Sequence, residues 1–127
     1  MATFHSDARG VMIPCAECEA PNRIPWNRMH EAPRCGRCKA YQQGIGLPVV
    51  LPDEAAFDAA TGSGSVPLVV DFWADWCAPC RMLAPTLEAL AAELEGEVVF
   101  AKLDTDAVSG PGRALGLRSI PTLALYR

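Results

Sequence analysis

All six cysteines of this 127-residue chain fall into three Cys-x-x-Cys pairs, which limits what the chain can fold around. The pairs are Cys15/Cys18, Cys35/Cys38 and Cys77/Cys80. A secreted disulfide framework spreads its cysteines more widely and normally follows a signal peptide. The first residues carry Asp7 and Arg9 and hold no long apolar run, so we do not expect a secretory signal. The pairs therefore indicate metal ligands or redox dithiols.

The first two pairs have the spacing of a zinc site. Sixteen residues separate Cys18 from Cys35, within the range of known zinc-binding motifs. Each pair can form a tight turn that directs two sulfur atoms to one point, and two turns complete a tetrahedron. We predict that Cys15, Cys18, Cys35 and Cys38 hold one structural Zn2+, because four protein ligands leave no open position. Two disulfides, an iron site and free thiols are the alternatives.

The charge distribution changes along the chain, and this predicts two units. Residues 1–47 carry six Lys/Arg and four Asp/Glu, whereas residues 48–127 carry five and eleven. The first segment has little periodic pattern and too little apolar sequence for a core of its own, so a metal would have to stabilise it. We assign residues 1–47 to a zinc-binding module and its linker (42–46), and residues 48–127 to a second domain.

Strands and helices are predicted to alternate in the second domain. Asp53 is a candidate cap for the first helix, Pro85 should kink the second, and Gly96 should end it. The order predicts an α/β domain with parallel strands. The expected strands are 48–51, 66–73, 97–103 and 120–126, and the expected helices are 54–60, one reaching about residue 95, and a weak one over 107–116.

The third cysteine pair follows an apolar strand and begins a helix. Free N–H groups and the helix dipole favour an anion there, so we expect a lowered pKa for the Cys77 thiol. Because the thiolate is the nucleophile, Cys77 is the expected attacking group. Cys80 should lie one turn further, facing Cys77 and more buried. A third metal-binding turn and a permanent disulfide are the alternatives.

The segment WADWCAPCR, residues 73–81, resembles the active-site signature of the thioredoxin family, with Ala78 in place of the usual glycine. The resemblance covers about residues 48–127. The segment CAECEAPNRIP and the first four cysteines resemble the zinc-containing second thioredoxins of bacteria. The resemblance implies an α/β thioredoxin fold, a central mixed sheet flanked by helices, with a small N-terminal zinc-ribbon-like module.

The resemblance assigns four side chains to the chemistry. Cys77 matches the attacking cysteine and Cys80 the resolving cysteine. Asp71 matches a buried aspartate whose pKa desolvation should raise, which suits a proton relay to Cys80. Lys102 resembles the lysine near that aspartate. The alternatives are a solvated strand-edge aspartate and a plain surface lysine.

The resemblance also implies a substrate-binding surface around the dithiol. Ile120 and Pro121 match a loop with a cis-proline, where the backbone of Ile120 would pair with an extended substrate. An ordinary turn with a trans-proline is the alternative. Trp76, Ala78 and Pro79 would complete the contact surface.

The implied function is cytoplasmic reduction of protein disulfides. The implied partners are disulfide-containing client proteins and an NADPH-dependent thioredoxin reductase, and we expect a monomer. The net charge of −4 argues against a nucleic-acid partner, and no apolar run is long enough to span a membrane. The rivals are a redox-sensing zinc module or client-binding holdase carried on a thioredoxin fold, and an isomerase or oxidant with the same fold.

The last residues fall short of the family pattern. The family's fold continues with an antiparallel edge strand and a C-terminal helix, which this sequence lacks. We expect a partial sequence. A true short variant and completion by another chain are the alternatives.

Overall fold

The strands of the chain form two sheets, described by a computed structural model for residues 2–127. A short 3-10 turn covers Trp26–Arg28. The elements in chain order are β1 (His5–Asp7), β2 (Gly10–Pro14), β3 (Pro21–Ile24), β4 (Val49–Val50), α1 (Glu54–Gly62), β5 (Leu68–Trp73), α2 (Ala78–Glu93), β6 (Val99–Asp104), α3 (Gly110–Ala114) and β7 (Thr122–Tyr126).

The second domain is built on a four-stranded sheet in the order β4-β6-β5-β7. β4 and β5 pair with β6 in parallel, whereas β7 pairs with β5 antiparallel. β5 lies inside the sheet and most of its side chains are buried, as its nearly continuous apolar sequence predicts. The antiparallel β7 shows that the expectation of parallel strands throughout, drawn from the alternation of strands and helices, was wrong for this strand, whereas the mixed sheet implied by the resemblance is confirmed. β7 is the last strand of the sheet within the described residues.

Capping, proline and glycine residues mark the helices of the second domain. The Asp53 side chain accepts a hydrogen bond of 2.8 Å from the backbone N–H of Ala56 and so caps α1. Pro85 lies inside α2. α2 ends at Glu93, three residues before Gly96, which lies in the following turn with a φ of +84°, a conformation that glycine adopts readily. Within residues 2–127, no helix is long and apolar enough to cross a membrane.

The first 47 residues contain a small antiparallel sheet, β1-β2-β3, that the sequence analysis did not predict. Val11 pairs with Ile24, and both are buried. Gly10 is required at the start of β2, because its φ is +146° and an added Cβ would lie 2.2 Å from the carbonyl oxygen of Ile24. The strands are only three to five residues long, which explains why they show little periodicity.

The small sheet has no separate core, because its apolar side chains belong to the same buried cluster as the second domain. Val11, Ile24 and Trp26 share this cluster with Phe57 and Leu68. The junction is also polar, since the Ser65 hydroxyl donates to the carbonyl oxygen of Trp26 at 2.7 Å. The first segment is therefore stabilised by burial against the second domain.

The edge of the large sheet is extended by the N-terminal residues. Phe4 forms a parallel bridge with Val49. Its backbone N–H donates to Pro48 and its carbonyl accepts from Val50, each at 2.9 Å. The two sheets are thus joined by backbone pairing as well as by side-chain packing.

Candidate active site and metal centre

Cys77 and Cys80 form a disulfide at the junction of β5 and α2. Cys77 is the N-cap of α2, and its Sγ accepts a hydrogen bond of 3.2 Å from the backbone N–H of Cys80. The helix N-terminus thus directs a backbone donor at the sulfur predicted to be nucleophilic. The exposed fractions are 4% for Cys77 and 2% for Cys80, so the expected difference in burial is small.

The Ile120–Pro121 loop lies against this disulfide. The peptide bond between Ile120 and Pro121 is cis. The carbonyl oxygen of Ile120 is 3.8 Å from Cys77 Sγ. Thr122 pairs with Phe72 in the antiparallel register of β7 and β5. The start of β7 therefore lies beside the end of β5, which brings the loop to the dithiol.

The surface around the disulfide exposes an aromatic side chain. Trp76 is 68% exposed, and Ala78 and Pro79 are exposed beside it. The indole Nε1 of Trp76 donates a hydrogen bond of 2.9 Å to Asp106 Oδ2. Asp106 could not be recognised from the sequence, because it lies 30 positions from its partner and no local pattern marks the contact.

Asp71 is a buried carboxylic acid on β5. It is 2% exposed, and neither of its oxygens accepts a hydrogen bond from any described residue. Burial raises the pKa of Asp71, an effect that the positive charge of Lys102 partly opposes. A solvated strand-edge aspartate does not fit this position.

Lys102 pairs with Asp71 in the parallel register of β6 and β5. It is 6% exposed, so it is not a plain surface lysine. Its Nζ lies 4.4 Å from the ring centroid of Trp73, a distance suited to a cation–π contact. The structure thus brings together the two strands that carry the predicted acid and the predicted lysine.

The first four cysteines meet in one cluster. The Sγ atoms of Cys15, Cys18, Cys35 and Cys38 all lie within 4.8 Å of one another. Cys15 Sγ is 3.6 Å from Cys38 Sγ, and Cys18 Sγ is 3.6 Å from Cys35 Sγ. Tetrahedral zinc with Zn–S bonds of about 2.3 Å separates its sulfurs by about 3.8 Å. None of the four cysteines forms a disulfide, and the spacing of their sulfurs fits a metal ion better than disulfides.

The Cys15/Cys18 and Cys35/Cys38 pairs are held in the same kind of turn. The backbone N–H of Cys15 donates to Ala20, and Glu19 donates back to Cys15, each at 2.8 Å. Cys35 and Lys39 repeat the pattern, with Cys35 donating to Ala40 at 2.8 Å. Glu19 and Lys39 both have φ near +65°. The two halves of the cluster are therefore local repeats.

Two polar side chains that the sequence analysis did not single out support the cluster. Gln42 was assigned to the linker, yet it is buried and its Nε2 lies 3.5 Å from Cys15 Sγ. Asn22 Oδ1 accepts from the backbone N–H of Gly36 at 3.0 Å. The backbone N–H of Cys38, and then Asn22, lower the pKa of the Cys35 thiol to about 5. Such donors favour the thiolate that a metal needs.

The fold and the two cysteine sites define a dithiol–disulfide domain with a tetracysteine module. The family model for thioredoxin matches residues 48–127. The model described as Thioredoxin 2, N-terminal, a zinc ribbon, matches residues 14–40. The chain belongs to the thioredoxin family.

Individual relatives agree with this assignment. Thioredoxin C-3 of Corynebacterium nephridii is 39% identical over 115 residues, covering 91% of this chain and 77% of the relative. A solved thioredoxin f from spinach chloroplast has a TM-score of 0.60 at 30% identity, covering 65% of this chain and 69% of the other. A solved mutant thioredoxin from Halobacterium salinarum NRC-1 has a TM-score of 0.58 at 34% identity, covering 65% of this chain and 71% of the other.

Replacing Asp71 with Asn should stabilise the chain at neutral pH. Because burial raises the pKa of Asp71, the folded state holds more protons than the unfolded state above about pH 3.9. Stability should therefore fall as pH rises through the folded pKa. Urea unfolding at several pH values should show Asp71→Asn removing this fall and raising the free energy of unfolding at pH 7 by about 1–3 kcal/mol.

The matched control for this prediction is Asp75→Asn. Asp75 is exposed, so the substitution should leave the pH dependence as it is. An Asp71→Asn variant less stable than the parent at pH 7 would contradict the assigned cost of burying the carboxylate.

Proposed function

We propose that this chain reduces disulfides of client proteins through the Cys77/Cys80 dithiol. One observation carries the proposal: the pair forms a disulfide at a helix N-terminus, with the Ile120–Pro121 loop against it. A disulfide built into one short turn can open and close without disturbing distant packing. Family membership supports the same class of chemistry, thiol–disulfide exchange.

The proposed reaction has two exchange steps. The thiolate of Cys77 attacks one sulfur of the client disulfide, forming a mixed disulfide and releasing the other client sulfur as a thiolate. The thiolate of Cys80 then attacks Cys77 Sγ, which closes the Cys77–Cys80 disulfide and releases the second client sulfur. Two electrons pass from the dithiol to the client, and the two client thiolates take up the two protons.

Asp71 is the proposed proton acceptor for Cys80. Its environment supports this role, because the carboxyl group is buried and accepts no hydrogen bond from the described residues. Burial raises its pKa, which brings proton affinity closer to neutral pH, where a general base works best. We assign Lys102 the supporting role of limiting that rise through its charge.

The proposed client-binding surface consists of the groups that flank the disulfide. The exposed ring of Trp76 offers apolar area, and the backbone of Ile120 offers hydrogen bonds to an extended client segment. Ala78, Pro79 and Pro121 complete it. Small or rigid side chains at these positions leave room for a second polypeptide to approach Cys77.

The proposed electron donor is an NADPH-dependent thioredoxin reductase, which would return the disulfide to the dithiol. We place the activity in the cytoplasm, where a reducing thiol pool is maintained, and propose a monomer as the working form. These assignments rest on family membership.

The tetracysteine cluster is proposed to hold one structural Zn2+. Its four sulfurs lie within 4.8 Å of one another, with two pairs at 3.6 Å, and four thiolate ligands would leave the ion no position for a substrate. Zinc supplies folding energy in such a site. The surrounding donors, including Gln42, hold the sulfurs in position.

Cys80→Ser should trap mixed disulfides with client proteins, because the Cys77 thiolate can still attack but nothing releases the client. Cys77→Ser is the matched control and should trap none. Non-reducing electrophoresis after exposure to oxidised clients checks both variants. Equal trapping by the two variants would reverse the assigned roles of the two cysteines.

Chelating the metal should loosen residues 11–42 and weaken the whole chain. Val11, Ile24 and Trp26 pack in the buried cluster of the second domain. Losing this packing should lower the free energy of unfolding by about 2–4 kcal/mol. The measurement combines amide exchange with urea unfolding. Both are recorded before chelation, after chelation, and after zinc is added back. Unchanged protection across 11–42 after metal loss, verified by elemental analysis, would contradict a structural ion.

A redox-sensing zinc module is the second candidate, and one observation favours it: Cys38 is exposed. An oxidant can reach that sulfur, and thiol oxidation would release the metal. Mild peroxide should then cause zinc loss and new holdase activity, while Cys77-dependent reduction stays unchanged. Zinc retention, or zinc loss without holdase activity, would leave the reductase as the function of the chain.

A further inference from the structure

A cavity of about 300 Å3 opens beside the disulfide. Trp76 and Ile120 form part of its wall, and Ile120 is the residue whose carbonyl oxygen lies 3.8 Å from Cys77 Sγ. Its volume is at the lower end for small-ligand pockets, so it suits a side chain or two of a bound peptide.

The charged side chains that line this cavity are both cationic. Arg113 and Arg118 contribute two guanidinium groups, and no acidic side chain is part of the lining. Both arginines are exposed, and neither makes an ion pair with another residue in the described part of the chain. A chain with a net charge of −4 thus presents a basic cavity next to its disulfide.

The acidic groups near the site lie outside the lining of this cavity. Asp106 accepts a hydrogen bond from the indole of Trp76, so its negative charge lies at the Trp76 end of the cavity. A second cavity, of about 550 Å3, has a mixed lining that includes Asp75 and Asp104 as well as Arg81 and Lys102. Of these two cavities, the one formed by α3 and the residues that precede Pro121 therefore has only positive charges in its lining.

We propose that Arg113 and Arg118 make this chain select client disulfides whose reacting cysteine is flanked by acidic residues. The inference rests on the proposed reductase function and names its preferred substrate class. A guanidinium binds a carboxylate through two parallel hydrogen bonds, so arginine suits such recognition better than a point charge does.

The geometry of an extended client supports this selection. A client cysteine must reach Cys77 Sγ, and a client backbone paired with Ile120 lies at the mouth of the cavity. An extended chain advances about 3.3 Å per residue. Because the two arginines share this lining with Trp76 and Ile120, residues near the client cysteine in sequence would come close to them. Glu or Asp there is attracted, and Lys or Arg is repelled.

The test is single-turnover exchange between the dithiol-reduced chain and three peptide disulfides, followed by tryptophan fluorescence. The peptides are identical except for Glu, Gln or Lys at the two positions flanking the reacting cysteine. The expected order of second-order rate constants is Glu, then Gln, then Lys, with about tenfold between the extremes at low salt. The preference should shrink at about 1 M salt, because the charges are solvent-accessible.

Two double variants distinguish the effect of Arg113 and Arg118 from the effect of the net charge of the chain. Arg113→Gln/Arg118→Gln should bring the Glu-to-Lys ratio to within about twofold of unity. The matched control, Arg9→Gln/Arg127→Gln, removes the same charge at positions away from the disulfide. Arg9 lies in the β1–β2 turn. Arg127 follows Tyr126, and Tyr126 pairs with Leu68 at the end of β5 opposite the cysteines. The control should keep the preference.

Two results would overturn the inference, and they differ. Equal, rapid rates for all three peptides, or a preference that survives in the Arg113→Gln/Arg118→Gln variant, would remove the selection and leave the reductase intact. No exchange with any peptide would remove the proposed reductase function, and the selection with it.

Discussion

The antiparallel register between β5 and β7 is the constraint on which the candidate active site depends. β5 runs inside the sheet and ends at Trp73, four residues before Cys77. Phe72 faces Thr122 across the two strands, so the loop that precedes β7 must come back to the place where β5 delivers the cysteines. A one-residue slip in this register would turn every side chain of β7 to the other face. The helix N-terminus at Cys77 is formed by local interactions, whereas the loop before Thr122 is brought beside it by long-range strand pairing.

Much of the second domain could be predicted because its signals are local. The apolar run of β5 and the capping side chain of Asp53 act within a few residues of their own position. The spacing of the first two cysteine pairs predicts that they come together, so the cluster of four cysteines could also be predicted from the sequence. Asp71 was assigned by resemblance, and its burial agrees with its place on an apolar strand.

The features that could not be predicted depend on contacts between distant residues. The strands of the small N-terminal sheet are short, and their apolar side chains are buried only because the second domain covers them. Gln42 was assigned to a linker, because the sequence around it contains no pattern that predicts its contact with Cys15. The same holds for Asp106, which meets Trp76 across 30 residues. Tertiary packing, not propensity, decides such positions.

The most direct test of the central claim is turnover of a protein disulfide with NADPH and thioredoxin reductase, with the whole chain as the intermediate carrier. The parent should sustain NADPH oxidation that requires both the chain and the client disulfide, and Cys77→Ser should abolish it, whereas Cys38→Ser should retain it. Turnover that survives in Cys77→Ser, or a parent chain that the reductase reduces but that leaves the client oxidised, would contradict the account.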